Sequence, residues 1–171
     1  FFVSKKRAKS LMKDLAQEFP DIYFQSTGGT EVNALDDEMI ELMAKSNFYH
    51  AILAIESGDQ EVQAASVDKN VKLDRVPHVI KKLKEHKIEI KALFMIGFPG
   101  ETRAQVQKTV DLALNLGVLD FNLSIVTPLP GTPLYDECIE KGLFLEGATA
   151  NTLNYDKSNI KLGDLTADEL E

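Results

Sequence analysis

The sequence predicts an α/β fold built on a parallel sheet. Short apolar runs at Ile22–Gln25, His50–Ile55, Ile88–Ile96 and Phe121–Val126 alternate with stretches whose apolar residues recur at helical spacing. Strands that alternate with helices in this way pair in parallel through crossovers. Three of the runs end in a corner of turn residues and acids: Glu56-Ser57-Gly58, Gly97-Phe98-Pro99-Gly100-Glu101 and Thr127-Pro128-Leu129-Pro130-Gly131. In open α/β sheets and in βα barrels, ligands sit at the carboxyl ends of the strands, so three such corners suggest one shared site. Helices on one side of a curling sheet make a barrel and helices on both sides a doubly wound sheet; the residue pattern leaves that choice open.

The elements follow in order. Phe1–Val3 reads as the tail of a strand. Ser4 can cap the next helix, where Ala8, Leu11, Met12, Leu15 and Ala16 share one face, and Pro20 closes it. Ile22–Gln25 is the next strand. Thr27-Gly28-Gly29-Thr30 lacks the Lys-Ser/Thr ending of a phosphate-binding loop and reads as a flexible loop. Asp36 can cap a helix carrying Met39, Ile40 and Met43, ahead of the strand His50–Ile55. Glu61–Ala65 supplies a helical turn or two. Asp74 is placed to cap a helix with Val76, Val79, Ile80 and Leu83 on one face, and Pro77 in its first turn costs nothing. Ile88–Ile96 is the longest strand. Thr102-x-x-Gln105 is a capping box, and Gly117 stands where a helix-terminating glycine belongs. Phe121–Val126 is the last strand, and Thr132-Pro133 opens another helix with a cap and an N1 proline. Residues 145–165 are polar and aperiodic, a covering loop or tail, and Thr166-x-x-Glu169 starts a helix that stops almost at once.

Composition narrows the function classes. Lys plus Arg total 19 against 27 Asp plus Glu, a formal charge of −8, which argues against a broad phosphate-backbone footprint. Lys5-Lys6-Arg7 and Lys81-Lys82-Leu83-Lys84 read as solvated helix faces. Cys138 is the only cysteine, so there is no disulfide framework and the expected setting is the reducing cytoplasm. No apolar run is long enough to span a membrane, and the first residues have no cleavage pattern of a signal peptide. The chain lacks an initiator Met, which suggests that it comes from a longer polypeptide. His50, His78 and His86 are not at metal-ligand spacing, no Ser/His/Asp arrangement stands out, and no catalytic or metal-binding residue is expected.

The three strand ends, Ala54-Ile55-Glu56-Ser57-Gly58-Asp59, Phe94-Met95-Ile96-Gly97-Phe98-Pro99-Gly100-Glu101-Thr102 and Thr127-Pro128-Leu129-Pro130-Gly131-Thr132-Pro133-Leu134-Tyr135, are together similar to the radical S-adenosylmethionine superfamily. Lys69 and the helix pattern from Asp74 to His86 sit where that family places a lysine-containing loop and a helix. The resemblance runs from about Phe1 to about Phe144. It implies a partial parallel (βα) TIM-like barrel comprising strands two to six of a six-stranded core. The expected domains are a truncated core at 1–144 and a polar tail at 145–171 with the start of a truncated helix. The opening Phe1-Phe2-Val3-Ser4-Lys5-Lys6-Arg7 resembles the subgroup in which a cobalamin-binding domain precedes the core, as in proteins like anaerobic magnesium-protoporphyrin monomethyl ester cyclase, which implies oxidoreductase or cyclase-like chemistry.

The family's C-x-x-x-C-x-x-C cluster loop is absent. The resemblance implies that the intact parent binds a [4Fe–4S] cluster and S-adenosylmethionine, and cobalamin if it is of the subgroup above, and performs 5′-deoxyadenosyl-radical chemistry on a small-molecule substrate. This chain is expected to contribute only the nucleoside side of the pocket, to hold no cluster itself, and to have the missing N-terminal part of the same polypeptide as its natural partner. A strand missing from the sheet leaves an open edge near Phe1–Val3, which should self-associate or be covered by the tail.

From residue type alone, Glu56 is a turn acid, a cap of the following turn, or a ligand-binding carboxylate. The resemblance makes it the acceptor of the ribose hydroxyls, which suit a bidentate carboxylate, with Ser57 assisting. Ile96, Gly97 and Phe98 resemble the segment packed against adenine, where glycine admits a flat ligand. Glu101 would fix that corner; a plain βα turn is the alternative. Thr127, Pro128, Leu129 and Pro130 follow the sixth strand, where prolines leave backbone groups free for a ligand or simply end the strand. Gln25 and Ser26 could line the same cavity. The competing view makes the whole chain a βα domain without cluster cysteines, a small-molecule module or scaffold whose glycine corners are only turns.

Overall fold

The computed structural model describes residues 2–66, 71–118, 120–148, 153 and 157–171; Lys69 lies outside them. Five strands form one parallel sheet: β1 (Phe24–Gln25), β2 (Thr30–Glu31), β3 (Phe48–Glu56), β4 (Glu89–Ile96) and β5 (Asp120–Ile125). β4 pairs with β3 on one side and β5 on the other. β1 and β2 both lie along the far edge of β3, Phe24 opposite Phe48 and Thr30 opposite Leu53. They are one strand interrupted by Ser26–Gly29.

Seven helices accompany the sheet among the described residues: α1 (Lys5–Glu18), α2 (Asp37–Lys45), α3 (Gln60–Ser66), α4 (Val76–Glu85), α5 (Arg103–Asn115), α6 (Pro133–Glu140) and α7 (Ala167–Leu170). Ala51 and Leu53 of β3 and Ala92 and Phe94 of β4 share one core with Met12 of α1, Met39 and Met43 of α2, Val79 and Leu83 of α4, and Ala113 of α5. These strand residues all point to one face of the sheet. On the opposite face Ile52, Lys91, Leu93 and Met95 are only half-buried, and Lys91 pairs across to Asp120 at 3.2 Å. The helices that pack along the strands, α1, α2, α4 and α5, lie on one face, and only Val62 of α3 and Leu134 of α6 approach Met95 on the other, near the strand ends, so the parallel sheet is a half-barrel and not a doubly wound sheet.

The local signals act largely as their chemistry dictates. The Ser4 hydroxyl accepts from the Arg7 amide at the start of α1, and Asp36 accepts from Met39 at the start of α2. Thr102 and Gln105 bond reciprocally to open α5, as do Thr166 and Glu169 at α7. Gly117, at φ +64°, follows the C-cap of α5. Thr132 caps α6, with Pro133 in its first position.

Four features differ from the sequence reading. Phe2 and Val3 form a turn rather than a strand, because Phe2 is drawn into the core edge-on against Phe48. Asp74 does not cap α4; it sits in a 3₁₀ turn, Leu73–Arg75, held by the Arg75 guanidinium donating to the Leu35 carbonyl at 3.1 Å. Thr27–Thr30 is not a free loop. Thr30 is buried in β2, and a Cβ on Gly29 would lie 2.8 Å from that of Ala54, so glycine is what lets the interrupted strand return to β3. Finally, the described part of the tail covers the carboxyl end of β4 and not the β1–β2 edge. Phe144 bridges to Ile160, while Leu165 and Leu170 pack on Ile96 at the end of β4. No described tail residue pairs with the β1–β2 edge.

Candidate functional site

β3 ends in a distortion. The register against β4 shifts between Ala54 and Glu56, which places Glu56 opposite Phe94. Glu56 has φ +69° and is only 8% exposed. A left-handed glutamate at a bulge is a conformation that side chains adopt only when the surroundings impose it, and such positions cluster at functional sites. Glu56 is thus neither an exposed turn acid nor the helix cap.

The cap is Asp59, which the sequence reading passed over. Its Oδ1 accepts from the Glu61 and Val62 amides at 2.9 and 3.1 Å, and its Oδ2 accepts from Lys108 Nζ at 2.6 Å. Gly58 N–H donates to Thr109 Oγ1 at 2.9 Å, and the Ser57 and Thr109 hydroxyls lie 3.3 Å apart, so the corner after β3 is docked on α5. Gln63, fully buried, donates to the carbonyls of Ile55 and Ser57, which the bulge has released from the ladder. Ser57 is accordingly a structural partner of Thr109 in this conformation. One signal for Asp59 was legible: Asp immediately ahead of Gln60 is cap chemistry.

Burial pushes the Asp59 carboxyl up, but Lys108 and the two amide donors more than offset it, and the group lies below its ordinary 3.8. An acid depressed by folding stabilises the fold above its ordinary value, and that stabilisation is lost as the pH falls through the lower folded value. Asp59→Ala should cost about 1–2 kcal/mol at pH 7, the range for a lost helix cap, measured by urea unfolding. The gap between the two proteins should shrink as the pH falls below the ordinary 3.8 and through the lower folded value; a gap that stays constant with pH would show that the charge contributes nothing.

At the end of β4, Gly97 (φ +86°) and Gly100 (φ +76°) turn the chain through conformations that favour glycine. Glu101 Oε2 accepts from the Gly97 amide at 2.6 Å and the Phe98 amide at 3.0 Å, so Glu101 fixes this corner. Burial pushes its carboxyl up, against the pull of the two amides, and its Oε1 is buried without a hydrogen-bond partner among the described residues. Phe98 packs with Val62 of α3 and Val126 beyond β5. A cleft of about 250 Å³ opens between α3 and this corner, lined by Val62, Phe98, Glu101 and Gln105.

Beyond β5, the Val126 amide donates to the Ile96 carbonyl at 2.9 Å, extending the ladder by one rung. Thr127 follows, donating weakly to the Ile125 carbonyl at 3.4 Å and receiving the Asn159 amide at the same distance. Pro128 is buried, whereas Leu129 and Pro130 are exposed. Glu56, Ile96–Phe98 and Thr127 thus stand at the carboxyl ends of three adjacent parallel strands, on one rim. Gln25 and Ser26 lie apart from them. The Ser26 hydroxyl accepts from the Ile52 amide at 2.8 Å as a substitute ladder bond. Both residues line a separate cleft of about 450 Å³ along the β1–β2 edge, with Phe2, Met12 and Phe48.

The donor set does not suit an iron–sulfur cluster. Cys138 is buried in α6 with its thiol pushed up by burial, and one thiol cannot hold a cluster that takes three or four. No group of three His, Cys, Asp or Glu suited to a metal occurs among the described residues, and no described helix is long and apolar enough to cross a membrane. The rim offers instead a carboxylate and a glycine corner, a donor set that fits a nucleoside.

Comparison with known proteins bears on the family and the fold. Residues 5–113 match the model of the Radical SAM superfamily. Cytidylyl-2-hydroxyethylphosphonate methyltransferase of Streptomyces wedmorensis is 32% identical over 120 residues, 67% of this chain and 22% of that protein. An uncharacterized methyltransferase of Pyrococcus horikoshii is 28% identical over 145 residues, 85% of this chain and 31% of that protein. The chain therefore spans less than a third of the length of these relatives. Among solved structures, the radical S-adenosylmethionine methyltransferase TsrM of Kitasatospora setae, with cobalamin and a [4Fe-4S] cluster bound, superposes with TM-score 0.69 at 18% identity, covering 78% of this chain and 26% of that one, a likeness of fold. The expected cyclase-like or oxidoreductase chemistry has no counterpart in these names, which are those of methyltransferases. With the match extending over more than half its length, and with a one-faced parallel half-barrel whose three strand ends share a rim, the chain belongs to the radical SAM superfamily.

Proposed function

We propose that this chain supplies the nucleoside side of the S-adenosylmethionine site in a radical SAM methyltransferase of the cobalamin-using kind. The observation that carries the reading is Glu56, a buried carboxylate held in a left-handed conformation at the rim, one strand away from the glycine corner at Gly97. A carboxylate there accepts the two ribose hydroxyls, and the open side of the Gly97–Phe98 corner, with Ile96 packed behind it against Leu165 and Leu170, is offered to the adenine. Thr127, Pro128, Leu129 and Pro130 close the far side. When bound beside a reduced cluster, S-adenosylmethionine supplies radical and methyl-transfer chemistry. The residues described here bind and orient it, and the cluster ligands belong to a part of the parent that this chain does not contain. Methyl transfer is supported by the names of the relatives; the small-molecule substrate would be chosen outside these residues. The single cysteine supports a cytoplasmic location. The β1–β2 edge, with no further strand beyond it among the described residues, supports pairing with the rest of the parent or with a second copy.

Titration calorimetry with S-adenosylmethionine and with its 2′-deoxyribose analogue tests the reading. The chain should prefer the ribose form. Glu56→Gln should weaken S-adenosylmethionine by roughly ten- to a hundredfold, as expected for hydrogen bonds to a charged acceptor, and should abolish the preference. Equal binding of the two nucleosides by the unaltered chain would overturn the assignment of Glu56.

A further inference from the structure

We infer that the tail segment 157–170 is a strap whose side chains position both the Gly97–Glu101 corner and Thr127. What these corners hold rests on the function proposed above; the strap itself rests on contacts alone.

The corner has little to fix its outer side. Gly97 and Gly100 both adopt positive φ, and the Glu101 carboxylate holds two amides with one oxygen only. The strap supplies the rest. A Cβ on Gly97 would lie 2.7 Å from Leu170 Cδ2, so the space left open by this glycine is filled by Leu170 and not by a ligand. A Cβ on Gly163 would lie 3.1 Å from the Glu101 carbonyl oxygen and 3.2 Å from that of Gly100; strap backbone therefore lies flush on corner backbone.

Polar contacts set the register of the strap. Asp164 Oδ1 accepts from the Arg103 amide at 2.7 Å, satisfying one of the free N–H groups at the start of α5. The Arg103 guanidinium pairs with Glu169. The same strap reaches the end of β5, where buried Asn159 donates to Thr127 Oγ1 at 3.4 Å and to the Lys157 carbonyl at 3.0 Å. Its near end is anchored by the Leu145 amide on the Asn159 carbonyl and the Lys161 amide on that of Leu143, at 3.1 and 2.6 Å.

Leu165 and Leu170 join Ile96, whose side chain shares the helix-packed face with Phe94. Phe98, by contrast, joins Met95 on the other face. The strap thus backs the corner from outside and leaves its inner side open. Leu170, Asp164 and Asn159 are positioning residues: none lies on the open side, and each limits where the corner can move.

Hydrogen exchange by NMR on the full 171-residue chain, without ligand, tests this directly. Leu170→Ala and, independently, the exposed Asp164→Ala should speed exchange of the Gly97 and Phe98 amides at least tenfold, while the amides of Ala92 and Phe94 inside β4 keep their rates. Leu170→Met should restore the slow exchange. Unchanged Gly97 and Phe98 rates in both variants, or uniform acceleration through β4, would overturn the strap. The same variants titrated with S-adenosylmethionine should bind at least tenfold more weakly than the unaltered chain. Failure of the unaltered chain to bind at all would count against the proposed function and leave the exchange result to decide the strap.

Discussion

Phe94→Ala should destabilise the chain by about 4 kcal/mol, the range for emptying a buried aromatic site. Phe94 is 1% exposed and the largest of the fully buried side chains. It stands on β4, which is hydrogen-bonded on both edges, so the backbone around it cannot close over the void. Its ring meets Phe121 of β5 edge-on, with centroids 6.4 Å apart at 82°, and the rest of its surface joins the core formed by the helices. The cost therefore combines lost transfer energy with a cavity the sheet cannot collapse. Urea unfolding should show a lower midpoint with an unchanged slope. Phe121→Ala, at a side chain 37% exposed, should cost only about 1 kcal/mol, because most of its area is already in water. Comparable losses at the two positions would mean that depth of burial does not set the cost on this face.

That one-faced core explains which parts of the fold were legible. The strands, the capped helix starts and the parallel arrangement depend on local pattern: Thr102 with Gln105 and Pro133 behind Thr132 carry their instructions within one turn. The side on which the helices pack does not. It is decided by which alternate residues of β3 and β4 meet Met39, Val79 and Leu83, a long-range matter that residue spacing does not encode. Phe2 shows the same limit. Its apolar neighbours make a short strand plausible, yet its side chain is buried edge-on against Phe48 instead. At Gly28-Gly29 the composition suggests freedom, but the missing Cβ of Gly29 answers to Ala54, which is 25 residues away in sequence.

The site divides similarly. Glu101 and the glycines of its corner were readable, because an acid four residues after Gly97 can fold back on its own turn. The conformation of Glu56 was not: its positive φ comes from the register shift against β4, which no neighbouring residue announces. Gln63 and Thr109 were missed because each acts across elements, as does Asp59 in its bond to Lys108, although its cap of α3 is local. Gln63 collects the carbonyls that the bulge releases, and Thr109 receives a corner 51 residues earlier. Leu170 was missed because its target, the space above Gly97, exists only once the half-barrel has formed.

Gly58→Ala should cost about 3 kcal/mol, the upper part of the usual range for overpacking. A Cβ at this position would fall 2.5 Å from the Lys108 carbonyl oxygen and 2.7 Å from Thr109 Cα. Both are backbone atoms of α5, so no rotamer change relieves the clash, and truncating Thr109 in the same protein should not rescue it. Relief requires the corner Ser57–Asp59 to lift off α5. That movement lengthens the Gly58 N–H bond to Thr109 and the Asp59 bond to Lys108, and it carries Glu56 along with it. Gly100→Ala is the matched comparison: Gly100 has φ +76° with nothing within 4 Å of its missing Cβ, so alanine there bears only the left-handed backbone cost of about 1–2 kcal/mol. The two glycines thus separate steric contact from conformation. Unfolding midpoints should rank Gly58→Ala well below Gly100→Ala, and binding of S-adenosylmethionine should weaken more in the first than its lost stability accounts for, because Glu56 moves. A Gly58→Ala protein as stable as Gly100→Ala would show that the β3 corner does not lean on α5, and the physical link from that helix to the carboxylate at the rim would be lost with it.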